Sequence, residues 1–277
     1  GVTIGMLMAT FIVSLMTLFS EEDFLSWGWR IPFLLSSVLV LLGLWIRKDI
    51  DETPDFQRVK ASGQVAKAPL RDTLKHHWRE VLIAAGLKVV ETAPFYIFST
   101  FVVSYATSTL TYQKSQALEA VTLGALVATI MIPLMGLLSD KVGRQRMYAI
   151  SVFVLGLFIV PWFMLLNTGT TWGIVLATVI AFGVLWAPVT AVLGTLCSEI
   201  FSANVRYTGI TLGYQLGAAL AGGTAPLIAT GLLAKYDGDW VPVAWYLAFT
   251  VTISLIAIFC ASRVKRATLI QAQPERL

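Results

Sequence analysis

Eight long apolar runs divide the chain, near residues 1–19, 31–47, 80–105, 117–138, 147–166, 172–196, 207–233 and 241–262, with polar stretches between them. A helix needs about 20 apolar residues, at about 1.5 Å each, to cross a hydrocarbon layer of about 30 Å. It also satisfies its own backbone hydrogen bonds, which a membrane interior demands. Each run has the length for one crossing, so the pattern predicts an all-α, polytopic membrane protein. The connection at 47–79 is different material: polar, mixed in charge, and carrying Pro54, Gly63 and Pro69. Thr53 and Pro54 have the chemistry of an N-cap and a first helical position. Pro69 to Glu80 reads as an interfacial helix feeding the next run.

Composition agrees. Hydrophobic residues make up 57 % of the chain and charged ones 13 %, and the mean hydropathy is +0.76. A soluble domain needs about a quarter of its residues charged, so this surface must face something apolar. The net charge of +4 does not point to nucleic acid, because the cations alternate from loop to loop. Connections 47–79, 139–146, 197–206 and 263–277 hold 16 of the 20 Lys and Arg residues, and the intervening ones hold Arg30, Lys114 and Lys235. The positive-inside rule therefore puts the first set, with Gly1 and the C-terminus, on the cytoplasmic side. Trp27, Trp29, Trp45, Trp78, Trp172, Trp240 and Trp245 mark run ends, as an interfacial belt would. Cys197 and Cys260 fit neither a metal site nor a disulfide and read as small apolar residues. His76 and His77 read as a solvated pair. The chain starts at Gly1 inside an apolar run, which reads as a fragment.

Residues 136–146, GLLSDKVGRQR, lie between two apolar runs. Gly136, Leu138, Ser139, Asp140, Lys141, Gly143, Arg144 and Arg146 fall on the G-x-L-[S/A]-D-[R/K]-x-G-[R/K]-x-R loop of the major facilitator superfamily of transporters, which the segment resembles. The stretches FLSWGWRIPFLLS (24–36), IRKDIDETPDF (46–56) and SEIFSANVRYTGITLGYQLG (198–217) resemble the metabolite:proton symporters within it, with a shikimate-transporter-like branch nearest. That resemblance implies two six-helix halves joined by a cytoplasmic loop around a midplane site. Residues 1–46 would be the last two helices of the N-terminal half and 47–79 the linker. Residues 80–263 would form the C-terminal six-helix half and 264–277 a cytoplasmic tail. The partners implied are a small metabolite and a proton, the bilayer, and the missing N-terminal helices of the same polypeptide. It further implies a monomer of the bacterial inner membrane with no cofactor, metal or nucleic acid. Among functions, proton-coupled import comes first, with an uncoupled uniporter or exchanger as the competitor and a membrane sensor or membrane enzyme more distant. No Ser-His-Asp set, zinc spacing or phosphate-cradling glycine loop supports an enzyme.

Candidate chemistry gathers in two places. Lys88 and Glu91 lie three apart on one face of the third run, deep in the membrane. An intramembrane carboxylate costs on the order of 2.5–3.5 kcal/mol to insert and needs a partner or a watery cavity. The two either neutralise each other structurally, or Lys88 attracts an organic anion while Glu91 takes part in proton coupling. Thr92, Tyr96, Trp186, Tyr214 and Gln215 are further candidates along the pathway. On the cytoplasmic side, the resemblance implies a gate of Gly136, Asp140, Gly143, Arg144, Arg146, Glu199 and Arg206. There Asp140 would sit against the start of the 207–233 run beside Arg206, with Glu199 a second partner for Arg144 or Arg206. Gly209, Gly213, Gly217, Ala221, Ala225 and Ala229 recur every four residues, as do Gly1, Gly5 and Ala9, and Gly124 with Ala128. By the resemblance these stripes face the opposite half, the alternative being tight packing within one half.

Overall fold

The computed structural model describes residues 1–16, 18–65 and 67–271, and the chain divides into two compact units after Gln64. The first unit holds α1 (Val2–Met16), α2 (Arg30–Lys48) and α3 (Pro54–Ala61). Fifteen residues of α1 span only about 22 Å. Among the described residues, seven helices are long and apolar enough to cross a membrane, and α1 is a shorter apolar helix. Residues 20–30 are largely helical rather than a loop. Ser20 caps the turn Glu21–Asp23, its hydroxyl accepting the Asp23 N–H at 3.2 Å, and the chain stays π-helical over Phe24–Gly28 up to α2. Thr53 caps α3 by accepting the Phe56 N–H at 3.4 Å, with Pro54 in the first helical position.

The second unit opens with α4 (Pro69–His76). Six helices of membrane-spanning length follow: α5 (Trp78–Thr109), α6 (Lys114–Val142), α7 (Arg144–Leu166), α8 (Thr171–Ile200), α9 (Arg206–Lys235) and α10 (Val241–Gln271). The tail drawn from residue 264 continues α10 as far as Gln271, and residues 272–277 lie outside the described part. α5 is packed between α9 and α10, α6 lies on α8, and α7 touches both α8 and α10. Trp162, Trp186, Tyr105, Tyr148, Phe98 and Phe163 are fully buried between them. They pack as edge-to-face pairs such as Phe98–Trp162, with ring centroids 5.1 Å apart.

The small-residue stripe of α9 has a partner within this unit. A Cβ on Gly213 would lie 2.6 Å from the Ala84 Cβ, and one on Gly217 would lie 2.6 Å from the Ala85 carbonyl. At Gly213 and Gly217 the stripe closes onto α5, which answers with its own small residues, the tight packing within one half that was the alternative. Gly124 of α6 likewise faces Thr178 and Phe182 of α8. A Cβ added at Gly1 or Gly5 would meet nothing outside its own turn of helix within 4 Å.

Three departures from straight helix follow from local chemistry. α9, expected unbroken over 207–233, is helical over Arg206–Ala221 and Ala225–Lys235 with a turn between, where Gly222 and Gly223 weaken the helix and Pro226 favours a fresh start. α8 widens to π-helix over Val179–Trp186, just before Pro188, which has no N–H to offer the preceding turn. α5 ends in π-helical stretches at Ile97–Phe101 and Tyr105–Thr109, so part of the expected 106–116 loop is helical. Between α6 and α7 the chain reverses through one residue, Gly143, at φ +100, a conformation that side chains disfavour.

Candidate functional site

α5 carries the intramembrane charges. Glu91 lies about 20 Å along the helix from Trp78, counting about 1.5 Å per residue. It is buried, with 8 % of its surface exposed. Its Oε2 is 2.5 Å from the Lys88 Nζ, and the same oxygen accepts the Thr92 hydroxyl at 3.2 Å. Oε1 accepts from Thr190 of α8 at 3.4 Å. The indole N–H of Trp186 donates to the Glu91 carbonyl at 2.7 Å. The Lys88 ammonium lies 4.7 Å from the centre of the Tyr214 ring on α9, a cation–π contact. Three helices therefore contribute to one polar cluster inside an otherwise apolar bundle.

Of the pathway residues expected from sequence, Lys88, Glu91, Thr92, Trp186 and Tyr214 meet here. Tyr96 is at the margin. A Cβ on Gly222, at the α9 turn, would come within 2.5 Å of the Thr92 Cγ2 and 3.1 Å of the Tyr96 ring. The bend in α9 thus lets its backbone close onto the same face. Gln215 is exposed and stands outside the cluster. Thr190 is part of it, although its sequence signal was only its position two residues after Pro188. Tyr148 and Ser254, which bond to the α5 backbone nearby, had no signal among the chain's many hydroxyls.

Several residues expected of a cytoplasmic gate lie around the turn between α6 and α7. Asp140 is paired with Arg144 at 2.8 Å. The two are four apart, across the Gly143 turn that joins α6 to α7. Arg206 donates to the Phe201 carbonyl at 3.4 Å. Glu199 is 3.4 Å from Arg144, as expected, and 3.1 Å from Lys265 of α10, which was not foreseen. Arg146 is exposed, and with Arg144, Glu199 and Lys265 it lines a cavity of about 600 Å³. The Gly136 carbonyl accepts the Ser139 hydroxyl at 2.6 Å.

Among the described residues, seven helices long and apolar enough to cross a membrane, six of them in the unit that holds the buried charge cluster, mark a multi-pass membrane protein. The chain belongs to the Major Facilitator Superfamily, whose family model matches residues 1–222 and, overlapping, 93–276. It is 32 % identical to the shikimate transporter of Escherichia coli over 270 residues, 96 % of this chain and 62 % of that protein. It is 30 % identical to the E. coli inner membrane metabolite transport protein YhjE over 279 residues, 97 % of this chain and 62 % of that protein. With the proline/betaine transporter of Salmonella typhimurium it shares 29 % identity over 254 residues, 88 % of this chain and 50 % of that protein. The chain therefore spans between half and about three fifths of the length of these relatives. No solved structure matches it. These relatives are each named as transporters or transport proteins.

Proposed function

We propose that the parent protein is a secondary active transporter that imports a small carboxylate-bearing metabolite together with a proton, by alternating access across the bacterial inner membrane. Residues 1–46 are then the end of its N-terminal half, 47–79 the linker, 80–263 its C-terminal half and 264–277 a cytoplasmic tail. The observation that carries this reading is the Lys88–Glu91 pair, buried mid-span with hydroxyl donors around the carboxylate. Such a pair can change partners. A substrate carboxylate that takes Lys88 releases Glu91, and a carboxylate left unpaired in a poorly hydrated site favours taking up a proton. Shikimate, proline and betaine, the compounds named for the relatives, each carry a carboxylate that Lys88 could meet. The cytoplasmic cluster of Asp140, Arg144 and Glu199 acts as a latch that breaks when the cytoplasmic side opens.

The test is Glu91→Gln in the full-length protein reconstituted in vesicles. Proton-driven accumulation is lost while substrate exchange continues. Because Gln leaves the Lys88 charge unpaired, a cost of about 3–5 kcal/mol, the double variant Lys88→Met/Glu91→Gln controls for folding. Undiminished accumulation in the Glu91→Gln protein would reduce the pair to a structural bridge and favour a uniporter or exchanger.

A further inference from the structure

Three neighbouring helices grip the backbone of α5 at the turn that carries its charges. Ser254 of α10 is fully buried. Its hydroxyl accepts the Val90 N–H at 3.0 Å and donates to the Gly86 carbonyl at 2.7 Å. Those two backbone groups are four residues apart, the pair that one helical turn joins, so a single side chain from another helix spans that turn. Tyr148 of α7, also fully buried, donates its hydroxyl to the Leu87 carbonyl at 2.6 Å. Trp186 of α8 does the same to Glu91 at 2.7 Å. Pro94 has no N–H for the Val90 carbonyl, so the turn above is weakened from within and depends more on outside bonds. Lys88 and Glu91 lie inside this held stretch.

Ser254 differs from the other hydroxyls of its helix in bonding to the backbone of a neighbouring helix. Thr250 and Thr252 bond only to carbonyls about one turn back on α10 itself, Leu247 at 2.7 Å and Ala248 at 2.8 Å, and Ser262 divides its hydroxyl between Ile258 at 3.0 Å and the Gln145 side chain of α7 at 3.1 Å. A carbonyl one turn back is the usual outlet for a hydroxyl in an apolar helix. Ser254 uses its bonds on α5. The approach that permits this is close, since a Cβ on Gly86 would lie 2.8 Å from the Ala257 Cβ.

We propose that Ser254 is a positioning residue for the Lys88–Glu91 pair, fixing the Gly86–Val90 turn so that both charges face Thr190 and Tyr214. The inference rests on the reading of that pair as the coupling site, and its test separates the two. In the full-length protein, Ser254→Ala removes the hydroxyl with almost no change of volume, and Ser254→Thr retains it. Two quantities are measured: amide hydrogen exchange across residues 86–95, and the pH midpoint of gradient-driven uptake. The Ala variant raises exchange at Val90 about tenfold, the loss of roughly one hydrogen bond, and shifts the pH midpoint. The Thr variant stays near wild type in both. If Ala leaves either the Val90 exchange or the pH midpoint where it was, the positioning role is overturned. Should the unsubstituted protein show no proton-driven uptake, the proposed function falls, while exchange at residues 86–91 still decides whether Ser254 holds this turn.

Discussion

Gly217 is where the packing of α9 on α5 can be tested with one methyl group. Its Cβ would lie 2.6 Å from the Ala85 carbonyl oxygen, 2.8 Å from the Lys88 Cβ and 3.2 Å from the Lys88 Cγ. Two effects oppose each other in Gly217→Ala. Alanine is the better helix former by about 1 kcal/mol, and overpacking a close interface costs about 1–3 kcal/mol. The nearest atom belongs to the backbone of α5 and cannot rotate away, so the upper end of that range applies and the net loss is about 2 kcal/mol. At roughly 2–4 °C per kcal/mol, the unfolding midpoint in detergent falls by about 4–8 °C. Gly231→Ala is the matched control. Nothing lies within 4 Å of its would-be Cβ, so only the helix preference remains and the midpoint holds or rises by about 2–4 °C. A Gly217→Ala protein as stable as the control would refute the close contact between these helices.

Two further outcomes follow from the polar ends of the helices. The Asp140–Arg144 bridge is half-exposed, with side chains 56 % and 38 % accessible, so Asp140→Asn changes stability by no more than about 1 kcal/mol. As a latch residue it acts on conformation instead, and cytoplasmic-side cysteine probes react faster in the variant; unchanged reactivity counts against the latch. Tyr112 lies between α5 and α6, and its hydroxyl donates to the Leu166 carbonyl at 2.7 Å and the Thr170 carbonyl at 3.2 Å. Burial raises its pKa above the ordinary tyrosine value. A raised folded pKa gives stability that is whole below the unfolded value of about 10 and is lost as pH climbs through the folded one. Tyr112→Phe is therefore less stable than the unsubstituted protein at neutral pH, and the gap closes in strongly alkaline solution. A gap that persists there would contradict the donor role.

The spanning helices were legible because length and hydropathy alone decide them, and the long polar linker was legible for the same reason. Other features were hidden for identifiable causes. The break in α9 lies in a stripe of small residues where Gly222 and Gly223 look like more of the same. Periodicity shows that Gly213 and Gly217 share a face but cannot say whether α5 or another half meets it. Lys88 and Glu91 could be paired from their spacing of three on one helix. Thr190 and Tyr214 reach that pair from about 100 residues away, which no local pattern reports. Asp140 and Arg144 are four apart, a spacing that pairs side chains on a helix, and they stay paired although Gly143 turns the chain between them.

The central claim is that the parent protein couples a proton to a carboxylate-bearing solute through Glu91. The direct measurement reconstitutes the full-length protein in vesicles loaded with a pH-sensitive dye and adds shikimate, proline or betaine outside. The account predicts that one of these acidifies the lumen, and that Glu91→Gln abolishes the signal. Labelled solute that equilibrates across the membrane with no change of internal pH would contradict it.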